Sequence, residues 1–310
     1  MQHLLQTLRN WPIDKQLTLF FPTCVLAIAL LSGSIQSIEP IQNKAALFAA
    51  LLFILLILGL RPLLQRHQFS SNTEWFLREF WPVPAILLGY LTMRAFRLEL
   101  AVDFFQIPLR DNWMIELDTI LFGQPVPLYL QYWITPGLTL WMEFAYLHFY
   151  YLLPIGSLLY FYWQGQRQTF LHLRKALIYA LTGGFCLYFI LPVVGPVTYM
   201  HDQFVVPLPA NHEILYDAVN SFRYLYDCFP SLHTAIPWLT LLMTWPRHSW
   251  PIKSILLFMT LSITFSTLYL RYHYGMDVIA GFLWALLIVH WVKHQPSEQQ
   301  NRLVSATKLT

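Results

Sequence analysis

Two short stretches hold side chains suited to chemistry in a chain that is otherwise largely apolar: Cys228-Phe229-Pro230-Ser231-Leu232-His233-Thr234 and Arg271-Tyr272-His273-Tyr274-Gly275-Met276-Asp277. The first opens an apolar run. Pro230 suits a first helical turn, where its missing N–H costs nothing. The N–H groups around Ser231, Leu232 and His233 then point out of a helix end, an arrangement that binds anions. In the second stretch Asp277 follows His273 by four residues, so one helical face holds both. The carboxylate can accept one ring N–H, which fixes the tautomer and leaves the other nitrogen free to attack. With the helices packed together, His233 and His273 face each other across one bound phosphate. His273 attacks phosphorus and becomes a phosphohistidine, and His233 protonates the leaving oxygen. His233 then takes the proton of the water or lipid hydroxyl that accepts the phosphoryl group. Arg271 is a candidate clamp on phosphate oxygens. The scheme needs no metal and no cofactor, and His233, His273 and Asp277 lack the close spacing of familiar metal-ligand sets.

Histidines and a carboxylate at the ends of apolar runs need elements to hold them, and composition says where those elements lie. Of 310 residues, 56% are hydrophobic, 17% aromatic and only 11% charged. Soluble domains carry about 25% charged residues, so most surfaces of this protein do not face water. Several apolar runs approach the length of about 20 residues that crosses a bilayer. The expected fold class is all-α, a polytopic integral membrane helical bundle. The net charge is +3 with scattered basic residues, which excludes a clustered nucleic-acid footprint. Cys24, Cys186 and Cys228 are too far apart for a disulfide framework. Cys24 and Cys186 lie in apolar segments and read as buried small hydrophobes, while Cys228 lies near the chemistry. The sequence sets no oligomeric state.

In chain order, residues 1–16 read as an amphipathic lead-in, not a cleaved signal peptide. Spans are expected at 17–35, 45–60, 80–97, within 136–162, 176–194, from Pro230 to Trp245, 254–270 and 276–292. The stretch 63–79 is polar. Residues 98–134 mix acids and arginine with Phe, Ile, Leu and Trp, and read as short interfacial helices or a cap over the bundle, with Asp118-Thr119-Ile120-Leu121-Phe122-Gly123 as its seat. Glu143, inside a span, should face protein or a cavity. His201 and His212 read as ordinary interfacial residues. Three segments follow: 1–134 with the N-terminal spans and cap, 135–295 as the catalytic core, and 296–310 as a polar cytoplasmic tail.

Eight spans place every basic segment (1–16, 61–79, 163–175, 247–253 and the tail) on one side, which the positive-inside rule makes cytoplasmic. The acidic loop 197–229, the turn 271–275 and the Ser231–His233 end then share the opposite side. Short loops fit a bacterial inner membrane with cytoplasmic termini and a periplasmic site.

On Phe229-Pro230-Ser231-Leu232-His233-Thr234-Ala235 and Tyr272-His273-Tyr274-Gly275-Met276-Asp277-Val278-Ile279-Ala280-Gly281 the chain resembles the type 2 phosphatidic acid phosphatase (PAP2) superfamily. It looks closest to the branch of inositol phosphorylceramide synthase and its bacterial relatives, where leucine replaces the glycine of the phosphatases' Pro-Ser-Gly-His, as Leu232 does here. The resemblance covers about 140–292. It implies a six-helix core, a nucleophile at His273, an acid–base at His233, an orienting Asp277 and a metal-independent site on the non-cytoplasmic face. Two departures stand out. The family's basic first motif, a lysine with an Arg-Pro pair, has no counterpart in Pro192–Met200, which carries Gly195-Pro196. The family arginine six residues before the nucleophile is Thr267 here, with Arg271 only two before. Arg271 and Arg223 are the candidates that rebuild the phosphate clamp.

The expected function is therefore a lipid phosphate phosphatase. A lipid phosphotransferase with a lipid or polyol acceptor is the alternative, since the two differ only in what meets the phosphohistidine. A non-catalytic transporter or scaffold is the other class. The missing basic first motif is its supporting feature; against it, the sequence shows no paired polar interruptions of the kind that repeated transporter halves carry.

Overall fold

A computed structural model describes residues 11–34, 71–209 and 223–295. Regular structure among them is helical, with one isolated parallel bridge between Val193 and Asp227. Among the described residues, five helical stretches are long and apolar enough to cross a membrane, as expected of a polytopic helical membrane protein. They are α1 (Ile13–Leu31), the joined pair α7 (Pro136–Phe144) and α8 (Tyr150–Trp163), α9 (Arg167–Ile190), α12 (Trp250–Tyr269) and α13 (Gly275–Lys293). The span expected at 45–60 lies outside the described residues, as do His212 and most of the lead-in.

Two expected spans are shorter than a bilayer. The 80–97 span is α3 (Pro82–Ala95), 14 residues long. Before it, the stretch read as polar forms its own helix, α2 (Ser71–Phe80), whose Phe76 ring lies 4.5 Å from Tyr162. The span expected from Pro230 is α11 (Leu232–Thr244), only 13 residues. It is packed by α8, α9, α12 and α13, with Leu232, Ala235, Ile236 and Leu239 buried. A helix enclosed by others need not match the membrane thickness. Its start is also shifted. Ser231 is the N-cap and accepts the Thr234 N–H at 3.2 Å, so Pro230 precedes the helix rather than sitting in its first turn.

α9 begins at Arg167, nine residues before the expected 176. Its polar first turns stay helical because Arg174 is buried against Asp14 of α1 and Glu79 of α2. Lys15 pairs with Glu79 at 2.8 Å in the same cluster. Glu143 is buried in α7, facing protein as expected. Between α7 and α8, residues 145–149 form one π-helical turn.

Residues 98–134 form short helices, as read: α4 (Leu98–Phe104), α5 (Asp111–Phe122) and α6 (Val126–Leu130). After α9 the chain makes the short α10 (Pro196–Tyr199). Two close approaches fix the geometry that matters. A Cβ on Gly281 of α13 would collide with the Ser231 carbonyl, and one on Gly275 would meet Phe122 and Val126 at 2.7 Å. Glycine therefore lets the start of α11 and the end of α5 both press on α13.

Candidate functional site

The two chemical stretches meet where α11 and α13 begin. The Ser231 N–H donates to the Asp277 carbonyl at 3.1 Å, tying the two helix starts together. Ser231, Leu232, His273 and Asp277 are all buried. Leu232 sets its side chain on Gly184 of α9, leaving its backbone at the first helical position. The first-turn N–H groups of Leu232 and His233 have no acceptor within the helix.

The His233 and His273 ring centroids lie 6.2 Å apart. The two imidazoles therefore stand near each other at the meeting of the two helix starts. His233 is held between Tyr146 and Tyr150, each ring centroid 4.2 Å away, and its Nδ1 is 3.5 Å from the Tyr146 hydroxyl. The His273 N–H donates to the Thr267 carbonyl at 3.1 Å. Thr267, in the place of a family arginine, thus positions the histidine by its backbone.

The expected His273–Asp277 pair is present but open: Nδ1 to Oδ2 is 3.6 Å, longer than a hydrogen bond. Between them sits the Cys228 thiol, 3.4 Å from His273 Nδ1 and donating to Asp277 Oδ2 at 2.8 Å. Burial first, then the Asp277 charge, pushes the Cys228 thiol well above its ordinary pKa, so it stays protonated and a donor. Oδ2 also accepts the Tyr274 N–H at 2.8 Å. Cys228, placed near the chemistry by the sequence but given no role in it, is therefore a polar member of the site. Its sulfur, a His273 nitrogen and an Asp277 oxygen lie within 4.8 Å of one another.

The two candidate arginines behave differently. Arg271, at φ 65°, donates to the Val206 carbonyl and stacks over Phe204, 4.0 Å from the ring centroid. Burial lowers its pKa to about 10, which leaves it cationic at neutral pH. Arg223 donates to the Val194 carbonyl at 3.2 Å and lies 3.7 Å from Asp227. Its charge is within electrostatic reach of His233. Asp227 in turn accepts from Tyr90 at 2.5 Å.

Two acids seat the site: Asp118, in the stretch read from sequence as the seat of a cap, and Asp111, to which the sequence reading gave no role. Asp111 accepts the N–H groups of Val194 and Gly195 at 3.0 and 2.9 Å, and the Tyr274 hydroxyl at 3.0 Å. Asp118 accepts those of Gly275, Met276 and Val126 at 2.8, 2.7 and 3.2 Å. Burial pushes both carboxyls up in pKa, and the backbone donors oppose it. Asp118 thus caps α13 from another helix, satisfying donors that a helix start leaves open. The signal was legible: two acids seven apart fall on one helical face.

A family model described as "PAP2 superfamily" matches residues 112–291, more than half of the chain. The match spans both histidine stretches and begins within α5. No curated protein and no solved structure matches the chain.

Proposed function

The chain belongs to the PAP2 superfamily, and from that premise we propose that it is a membrane lipid phosphate phosphatase working through a phosphohistidine. The observation that carries this reading is the opposed pair of buried-site imidazoles, 6.2 Å apart, with Asp277 on the Nδ1 side of His273. In the first step His273 Nε2 attacks phosphorus, the bond from phosphorus to the lipid oxygen breaks, and that oxygen takes a proton from His233. In the second, water attacks phosphorus, its proton passes to His233, and the P–N bond breaks to release phosphate. Asp277 holds the imidazole orientation and stabilises its positive charge. The first-turn N–H groups of Leu232 and His233 receive phosphate oxygens, and Arg223 and Arg271 balance its charge. Metal plays no part in these steps.

We place the site at the non-cytoplasmic face of a bacterial inner membrane, in a bundle of about eight spans with a six-helix core and both termini cytoplasmic. The lysine and arginine distribution supports this orientation. A second reading, transfer to a lipid or polyol hydroxyl as in the inositol phosphorylceramide synthase branch, is favoured by Leu232 in place of glycine and by the absence of basic residues in Pro192–Met200.

The test is phosphate release in mixed micelles with EDTA present. Phosphatidate, polyprenyl diphosphate and phosphatidylglycerophosphate are the substrates, beside His273→Ala. Free phosphate from the wild type alone is expected. Labelled transfer product on a lipid alcohol without free phosphate moves the assignment to a transferase. Silence in both assays, with lipid binding intact, leaves a transporter or scaffold.

A further inference from the structure

Helix α5 has its faces reversed for a helix on a water-facing surface. Asp111, Met114 and Asp118 point inward and are buried. Trp113, Leu117, Ile120 and Leu121 point outward, with Ile120 72% exposed and Leu121 54% exposed. At 100° per residue these four share one arc. Asn112, Glu116 and Thr119, also exposed, share another. The outer surface of α5 is thus split lengthwise into an apolar flank and a polar flank.

Its level and direction follow from its two acids. Asp111 holds Val194 and Gly195, just beyond the end of α9, and Asp118 holds Gly275 and Met276, which begin α13. Both α9 and α13 are of membrane length, and they pack side by side. Seven residues of helix rise about 10 Å, close to the distance of about 8–10 Å between packed helix axes. α5 therefore lies across the ends of two spanning helices, in the plane where the bilayer surface must be. The Arg110 guanidinium stacks on Trp113 at 3.9 Å from the ring centroid, setting a cation and an amphipathic ring where headgroups begin.

We propose that α5 is docked in the headgroup–acyl boundary of the bilayer, its Trp113–Leu117–Ile120–Leu121 flank in hydrocarbon, and that Asp118 transmits this seating to the His273–Asp277 segment. The docking clause stands on geometry alone, and the positioning clause rests on the function proposed above. The occupant is a phospholipid surface, because the flank is continuous with the level of the spanning helices' ends. An interfacial helix of this kind buries its apolar face about 5–10 Å into the boundary. Asp118 is a positioning residue: it touches the backbone that starts α13, two residues after His273.

The test uses the full chain in phosphatidylcholine–phosphatidylglycerol nanodiscs, in a Cys24→Ala/Cys186→Ala background that leaves buried Cys228 in place. An environment-sensitive fluorophore is attached through Ile120→Cys, Leu121→Cys, Asn112→Cys or Glu116→Cys. Blue-shifted emission, with most of it quenched by bromine-labelled acyl chains, is expected at 120 and 121 and not at 112 and 116. Equal water exposure on both flanks overturns the docking clause. So does protection of 120 and 121 from lipid and aqueous quenchers alike, which would mean a protein partner or a second copy covers them. For the positioning clause, Asp118→Asn is expected to lower kcat about tenfold with KM unchanged, and Asp118→Glu to recover part of the loss. A fall in thermal stability with kcat intact overturns it. The fluorescence readout needs no turnover, so failure of the enzymatic reading and failure of docking give different patterns.

Discussion

The protein buries two polar clusters at opposite ends of α9, and they are built in opposite ways. At one end Asp14, Lys15, Glu79 and Arg174 balance two positive charges with two negative ones. Arg174 bonds Asp14 at 2.7 Å and also pairs with Glu79, and Lys15 bonds Glu79 at 2.8 Å. At the other end Asp277 is the carboxylate beside two imidazoles and a thiol, and the histidine contacts are loose at 3.4 to 3.6 Å. From Arg174 to Val194 the helix and its exit rise about 30 Å, the thickness of the hydrocarbon core. Buried polar atoms lack a hydrogen-bond partner in both clusters, Asp14 Oδ1 in the first and Asp277 Oδ1 in the second. The difference therefore lies in the short, charge-balanced ion pairs of the first against the loose histidine contacts of the second. Loose contacts in a site commonly tighten only when substrate is bound.

That contrast is sharpest for the largest expected effect. His273→Ala should reduce turnover by about three to four orders of magnitude and leave the thermal midpoint of the detergent-solubilised protein unchanged. A variant that unfolds instead would make the loose cluster structural and erase the difference between the two ends.

Arg174→Leu should do the reverse. Removing one partner of a buried ion pair costs about 3–5 kcal/mol because the remaining carboxylates lose their counter-charge. Thermal unfolding should shift down strongly, while the specific activity of the folded fraction stays near that of the wild type. Equal stability with lost activity would place the tight cluster in the reaction.

A smaller effect is expected at Ser231, which belongs to both local structure and site. Its hydroxyl oxygen accepts from the Thr234 N–H and the Thr234 hydroxyl. Ser231→Ala removes an N-cap, at about 1 kcal/mol, measurable by thermal unfolding. Unchanged stability would show that the start of α11 is held by the Ser231–Asp277 backbone bond instead.

The two ends also differ in how readily sequence reveals them. His233 and Asp277 are legible because each sits in the first turn of an apolar helix. His273 instead precedes α13, so its approach to Asp277 is not the shared helical face that the four-residue spacing suggested. The membrane-length helices are legible because hydropathy is summed over many residues. α11 reads from sequence as a short span, and its 13 residues are enclosed by other helices, which relieves it of matching the membrane thickness. α9 does mislead: Arg167, Arg174 and Lys175 look like a loop until Arg174 meets partners 160 and 95 residues away. Cys228 stands at the start of the first chemical stretch, but its part was hidden, because it depends on a contact across 49 residues. Asp111 and Asp118 did carry a local signal, an acid pair seven apart on one helical face, but acids there also suit a solvated cap.

Cys228 gives the smallest expected effect and the finest discrimination. The thiol donates to the oxygen that His273 must reach, and burial keeps it protonated. Cys228→Ala frees Asp277 Oδ2 of one donor and leaves His273 Nδ1 the nearest side-chain replacement, 3.6 Å away. Closing that gap needs a shift of less than about 1 Å to reach hydrogen-bond length, within what a substrate-bound site commonly achieves. The rate should therefore change by less than about tenfold, and Cys228→Ser should lie nearer the wild type because the hydroxyl remains a donor. Single-turnover rates of the two variants measure this directly. A loss in Cys228→Ala as deep as that in His273→Ala, restored by serine, would mean the pair communicates through the thiol rather than around it.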